Sequence, residues 1–331
     1  MRKKFFGFVL STLLFAQWSP TQAQQSGKMF RIGFLDASTA SGSAVLVNTL
    51  RQELRRLGWI EGKNITIEYR FAEQKEERLR ELAAELVALK VNVLVVTGGE
   101  PALVAKKESS TTPIVMTGAS DPIFLGLIAS LARPGSNVTG LSARAYELNT
   151  KRLEVLKDAF PKLGRVGFLQ STQGSTKAKD FELKELRTAA SALKVNVEAI
   201  ETETNPKALE SAFQAAKQKQ VEAMMTAASR YFLAQAKRIV ELANRSRLPA
   251  AYHQRAYVDQ GGLMSYGVDY VDLYRRAAGY VDKILKGAKP GDLPVQQATK
   301  FEFVINLKAA KELGLTTPVD LLQRANQVIK E

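Results

Sequence analysis

The residues able to do chemistry in this chain are few. There is one histidine, His253, and there are no cysteines among 331 residues. A Ser-His-Asp arrangement would have to use His253, and no G-x-S-x-G elbow presents a serine to it. A zinc site built from cysteine and histidine is unavailable. The run Gly58 to Asn64 falls one residue short of a phosphate-binding loop before Gly62-Lys63 and has Asn64 where a hydroxyl is needed. The loop from Asp36 to Gly42 lacks the G-x-G-x-x-G spacing of a dinucleotide site. The chain therefore reads as a binder, not an enzyme, with no cofactor and no metal.

Small polar residues gather instead at the ends of apolar runs. In the first half they are Ser38, Thr39 and Ser41; Thr97, Gly98, Gly99 and Glu100; and Gly118, Ala119, Ser120 and Asp121. In the second half they are Gln170, Ser171 and Thr172; Ser229, Arg230 and Tyr231; and Tyr252, His253 and Gln254. Tyr266 and Asp269 follow a later run. In open α/β sheets a ligand lies outside the carboxyl ends of the strands. Helix N-termini there offer N–H groups to an anion, Arg230 offers a cation, and the tyrosines offer faces to a planar group. A competing reading applies to each residue. Ser and Thr also cap helices, Asp121 and Asp269 stand where caps belong, and Glu100 can simply face water.

The elements that must position these ends come in two sets. Arg31-Ile32-Gly33-Phe34-Leu35-Asp36 recurs as Arg165-Val166-Gly167-Phe168-Leu169-Gln170. Strands are expected at Phe30–Asp36, Asn64–Arg70, Val91–Thr97, Pro113–Thr117 and Asn137–Ser142. The second half repeats the rhythm at Arg165–Gln170, Val195–Ile200, Val221–Ala227, Leu248–Tyr252 and Gly262–Tyr266, and one more strand is expected from Phe301 to Ile305. Runs such as Val91 to Val96 suit a parallel sheet covered on both faces. Between them, Val47, Leu50, Leu54 and Leu57 share one helix face, as do Leu79, Leu82, Ala83, Leu86 and Leu89. Each strand–helix–strand unit is expected to be right-handed and parallel. The fold class is α/β: two doubly wound parallel-sheet lobes with a cleft between them. Residues 24–141 with 265–290 are expected to form lobe one, and 142–264 with 291–331 lobe two.

The chain exceeds the usual single-core size, which also favours two domains. Arg2, Lys3 and Lys4, the apolar stretch Phe5 to Phe15 and Thr21-Gln22-Ala23 fit a cleaved signal peptide over residues 1–23. With no cysteine to carry a lipid, the product is expected to be free in a periplasm. The formal net charge is +14, yet the basic residues are scattered singly or in pairs, such as Arg55-Arg56 and Lys106-Lys107. No basic block marks a nucleic-acid surface, so no nucleic-acid partner is expected.

Several longer motifs carry a family resemblance. Gly58-Trp59-Ile60-Glu61-Gly62-Lys63-Asn64 leads into Ile67-Glu68-Tyr69-Arg70. Asp121-Pro122, Leu131-Ala132-Arg133-Pro134-Gly135 and Asn137-Val138-Thr139-Gly140 follow. Gly261 to Gly267, Ile284-Leu285-Lys286-Gly287, Leu293 to Gln297 and Phe301 to Leu315 continue the pattern. In order, over most of the chain, these resemble the substrate-binding proteins of ABC importers that include the TrpX-like tryptophan and tyrosine binders.

The resemblance implies the type I periplasmic-binding-protein fold, with two lobes, three crossovers and a hinge. It implies a monomeric receptor that captures a small-molecule ligand by lobe closure and hands it to an ABC permease in the inner membrane. An amino acid-like or aromatic carboxylate solute is favoured by Arg230, the N–H groups and the tyrosines. A sugar or nucleoside receptor, or a sensory module passing its closed state to a membrane partner, remains as the alternative. The loops Asp36–Ser43 and Gln170–Thr176 match no family motif, so the solute is expected to be read there.

Overall fold

The structure, a computed structural model, describes residues 29–330. The signal-peptide assignment to residues 1–23 lies outside the described residues. In chain order the first elements are β1 (Phe30–Asp36), α1 (Ala40–Arg56), β2 (Ile65–Phe71), α2 (Glu76–Ala88), β3 (Val93–Val96), α3 (Gly99–Glu108), β4 (Ile114–Ala119) and β5 (Val138–Ser142). They continue with α4 (Ala145–Ala159), β6 (Arg165–Ser171), α5 (Thr176–Ala192), β7 (Asn196–Thr202), α6 (Pro206–Gln218), β8 (Ala223–Thr226), α7 (Arg230–Leu233), α8 (Ala236–Arg245) and β9 (Ala250–Tyr252). The last are α9 (Arg255–Val258), β10 (Met264–Val268), α10 (Tyr270–Leu285), β11 (Gln296–Gln297), β12 (Phe301–Asn306), α11 (Leu307–Glu312), α12 (Val319–Arg324) and β13 (Gln327–Ile329).

Two sheets result. Their orders are β2-β1-β3-β4-β5-β11 and β7-β6-β8-β9-β10-β12-β13. The two halves thus share one doubly wound order, with each lobe's first strand beside its second and third. All pairings are parallel except β10 with β12. Strand β3 is buried throughout, as a sheet covered by helices on both faces requires. Each sheet has an apolar cluster on either face. Ile32, Phe34 and Val95 meet α10 on one face of the first sheet, while Leu35, Leu94 and Val96 meet α2 and α3 on the other.

The repeated hexapeptide has a common structural role. Gly33 of β1 is in register with Leu94 of β3, and Gly167 of β6 is in register with Met224 of β8. A Cβ on Gly33 would lie 2.6 Å from Leu94 Cδ2, and one on Gly167 would lie 2.5 Å from Met224 Sδ. In both lobes the glycine makes room for a bulky side chain on the next strand.

The chain passes between the sheets three times. It leaves the first after Ser142, returns from β10 into α10 around Asp269, and leaves again between Gln297 and Phe301. The strand pairing moves two of these crossings from their expected places at 264/265 and 290/291. Met264–Val268 hydrogen-bonds to β9 and β12 in the second sheet, and Gln296–Gln297 adds to β5 in the first. Helix α10 packs on the first sheet beside α1.

Candidate functional site

The carboxyl ends of the two sheets face each other, and the loops that follow them meet across a cleft. A cavity of about 160 Å³ lies there. The wall from the first sheet includes Ala37, Thr97, Gly98, Gly99, Glu100, Thr117, Gly118 and Ser120. The wall from the second includes Gln170, Ser171, Gln173, Lys179, Glu182, Ser229, Arg230, Tyr231, His253 and Gln254, and Tyr270 and Tyr274 come from α10. The Thr97 hydroxyl is buried in this wall and has no protein partner.

Arg230 and Tyr231 cross from the second lobe into the first. Arg230, at the start of α7, bonds Asp36 at the end of β1 through Nε to Oδ1 at 3.2 Å and Nη2 to Oδ2 at 2.5 Å. Arg230 Nη2 also donates to Ser43 Oγ at 2.9 Å, and Ser43 donates to Asp36 at 2.5 Å. Asp36 is fully buried. Burial alone would raise its pKa, but the Arg230 charge and the bonds from Arg230, Ser43 and the Ser38 amide hold it below the ordinary value. The Tyr231 ring enters an apolar cluster made otherwise of first-lobe residues such as Leu35 and Ala102. Its hydroxyl donates to Glu100 Oε2 at 2.7 Å. Burial pushes the Glu100 carboxyl up to about 7; the Tyr231 bond opposes this and neighbouring Glu76 adds to it.

Further contacts close the rim. Gln173 Nε2 donates to the Gln74 carbonyl at 2.7 Å, and Gly174 N donates to Glu76 Oε2 at 3.0 Å. Phe124 stacks on Phe181 with centroids 4.1 Å apart, and Tyr146 meets both edge-on. The lobes are in contact on both sides of the cavity.

Behind the second wall is a buried polar network. Arg152, 1% exposed, donates to Asn149 Oδ1 and, at 3.1 Å, to the Tyr266 carbonyl. Asn149 in turn donates to Glu182 Oε1 at 2.7 Å. Burial lowers the Arg152 pKa to about 10 and raises that of Glu182. His253 sits above this network. Its Nδ1 lies 3.2 Å from Thr226 Oγ1, and burial with the charges of Arg152 and Arg230 keeps the ring neutral at pH 7. Among the described residues no serine or carboxylate hydrogen-bonds to it.

The expected site residues separate into groups. Thr97, Gly98, Gly99, Ser120, Gln170, Ser171, Ser229, Arg230, Tyr231 and His253 come together around the cavity. Arg230 is committed to Asp36, and the Tyr231 ring is wedged between lobes. The rest stand outside the wall. Thr39 caps α1 through its bond from Gly42 N, Asp269 caps α10 through its bond from Asp272 N, and Asp121 accepts from the Ile123 and Phe124 amides. Ser38 is buried beside Asp36, while Ser41 and Thr172 are exposed. Tyr252 is stacked on Tyr257 within the second-lobe core, with centroids 4.7 Å apart. Tyr266 packs on Phe303, 5.9 Å away. The sequence reading missed the pairing role of Asp36 and the wall positions of Glu182, Tyr270 and Tyr274. For Glu100 the sequence leaves both a strand-end binding place and open solvent; the side chain lines the cavity. Its place one residue past Gly98-Gly99 was the available signal.

Residues 40–329 match the model of the ABC transporter substrate binding protein family. The chain belongs to that family. It is 25% identical over 258 residues to a tyrosine-binding protein of Clostridioides difficile, covering 78% of this chain and 73% of the relative. Its fold is similar to a conserved domain protein from Vibrio cholerae, at TM-score 0.84 and 26% identity, covering 91% of this chain and 100% of that one. An ABC domain in complex with L-Trp from Streptococcus pneumoniae superposes at TM-score 0.83 with 25% identity, again over 91% and 100%. The fold of this substrate-binding protein is the type I periplasmic-binding-protein architecture, as the motifs implied.

Proposed function

We propose that this substrate-binding protein is the periplasmic receptor of an ABC importer and captures a small amino acid-like or aromatic carboxylate solute between its lobes. The cavity closed over by Arg230–Asp36 and Tyr231–Glu100 carries the reading. Its volume of about 160 Å³ resembles the roughly 150 Å³ cavity that accepts benzene, so it suits a single-ring side chain better than an oligosaccharide. The relatives named for tyrosine and L-Trp support the same chemical class, an aromatic amino acid.

Solute enters between separated lobes, and closure forms the cross-lobe bonds. A ligand shifts such an equilibrium only by binding the closed form better. The first turn of α3, at Gly98-Gly99, opens onto the cavity and suits a carboxylate. Lobe one comprises 29–142 with 270–297, and lobe two 143–268 with 298–330. The closed protein, a monomer secreted by the signal at residues 1–23, docks on an inner-membrane permease. Calorimetry against amino acids, aromatic acids, nucleosides and sugars tests the reading. One-to-one binding of an amino acid or aromatic acid is expected; silence across the whole panel would overturn it.

A further inference from the structure

We propose that Glu100 is a specificity-determining residue that selects solutes bearing a positively charged amino group. This rests on the cleft being the solute site, and it narrows the class from carboxylates in general to amines.

The charge balance of the wall carries the inference. The two arginines nearest the cavity are already committed. Arg230 is bound to Asp36, and Arg152 reaches Glu182 through Asn149. Lys179 Nζ donates to the Thr172 carbonyl at 2.9 Å. Glu100 is different. It lines the cavity, accepts from the neutral Tyr231 hydroxyl and shares a hydrogen bond with the Glu76 carboxyl, so neither partner brings it a cation. Among the described residues no lysine or arginine nitrogen lies within 4.0 Å of its carboxylate. The nearby ionisable groups are Glu76 on α2, which raises its pKa, and Lys179 on α5, which lowers it without touching it.

A buried carboxylate without a cation is costly unless it is protonated or paired. An ammonium ion in the cavity supplies the missing partner. An amine-free acid or a sugar supplies none. The unpartnered, 1% exposed Thr97 hydroxyl in the same wall can bond a second polar group of that solute.

The test compares L-tyrosine and L-tryptophan with 3-(4-hydroxyphenyl)propionate and indole-3-propionate by calorimetry. It uses the wild type and Glu100→Gln, which retains an oxygen to accept from Tyr231. Thermal melting checks that the variant is folded. The amine-free acids are expected to bind the wild type about 100-fold more weakly, and the preference should shrink at least about tenfold in the variant. Equal affinity for both classes, or an unchanged preference in the folded variant, overturns the assignment and leaves the solute reading standing. Absence of binding by all four compounds and by the wider panel of amino acids, aromatic acids, nucleosides and sugars overturns both.

Discussion

Arg230 and Asp36 stand 194 positions apart in the chain, yet they form a two-pronged ion pair across the cleft. Arginine's planar fork matches a carboxylate, and this pair is buried, so it is directional and only weakly screened. The residue that looked best suited to a solute carboxylate is therefore used to join the lobes. Arg230→Ala leaves Asp36 buried without its cation whenever the lobes close. Solute affinity is expected to fall by about 2–5 kcal/mol. The Asp36→Ala, Arg230→Ala double variant should lose little more than either single one. Calorimetric titration of the three variants measures this. Additive losses would instead mean that Arg230 binds the solute directly.

Proton linkage at Glu100 gives a second expectation. Its pKa in the closed form, raised to about 7, exceeds the ordinary carboxyl value. A carboxyl raised in this way stabilises closure of the solute-free protein at low pH, and that contribution is lost as pH rises through about 7. An amine must displace the proton. Its affinity is therefore expected to weaken below pH 7, approaching about tenfold per pH unit at the steepest. The Glu76 and Lys179 charges modulate the midpoint. Titrations between pH 5 and 8 check the slope, and Glu100→Gln should flatten it.

Two glycines distinguish scaffold from repacking. Gly267 lies so close to the chain at His253 that a Cβ would stand 1.9 Å from the His253 carbonyl oxygen. Gly167 meets side chains alone, the end of the flexible Met224 first and Val221 Cγ1 at 3.1 Å next. Gly167→Ala is expected to cost about 1–3 kcal/mol in a denaturant melt. Gly267→Ala should cost more, because backbone has to move, and should reduce the yield of folded protein.

The Phe124–Phe181 stack holds the lobes by contact, not charge. Phe181→Ala is expected to weaken solute binding by about 0.5–1.5 kcal/mol, the usual worth of such a pair. The loss should be insensitive to salt and should leave each lobe's melting behaviour nearly unchanged.

Much of the scaffold was legible in the chain itself. The hexapeptide marked β1 and β6 because apolar runs with a glycine at the same place must fit the same neighbour, Leu94 in one lobe and Met224 in the other. The short edge strands Gln296–Gln297 and Gln327–Ile329 escaped notice, since strands of two and three residues are too short to show a period. The crossing around Asp269 was misplaced because β10 is apolar enough for either sheet, and its partner β12 lies more than 30 residues on. The cavity was half legible. Residues at strand ends were found by topology, but Tyr252 and Tyr266 turned inward where stacking against a ligand was expected. Pairs such as Arg230–Asp36 and Tyr231–Glu100 have no local signature at all, since the fold alone brings them together.

Solute capture is expected to close the two lobes on each other. The absence of cysteine allows clean labelling of introduced pairs. Arg80→Cys on α2 and Lys184→Cys on α5 are exposed positions on opposite lobes. Spin labels there, read by pulsed dipolar spectroscopy, report the distance distribution directly. A shift to a single shorter distance on adding saturating L-tyrosine or L-tryptophan, reversed by Arg230→Ala, is expected. A distribution unmoved by every solute that binds would contradict closure as the mechanism of capture.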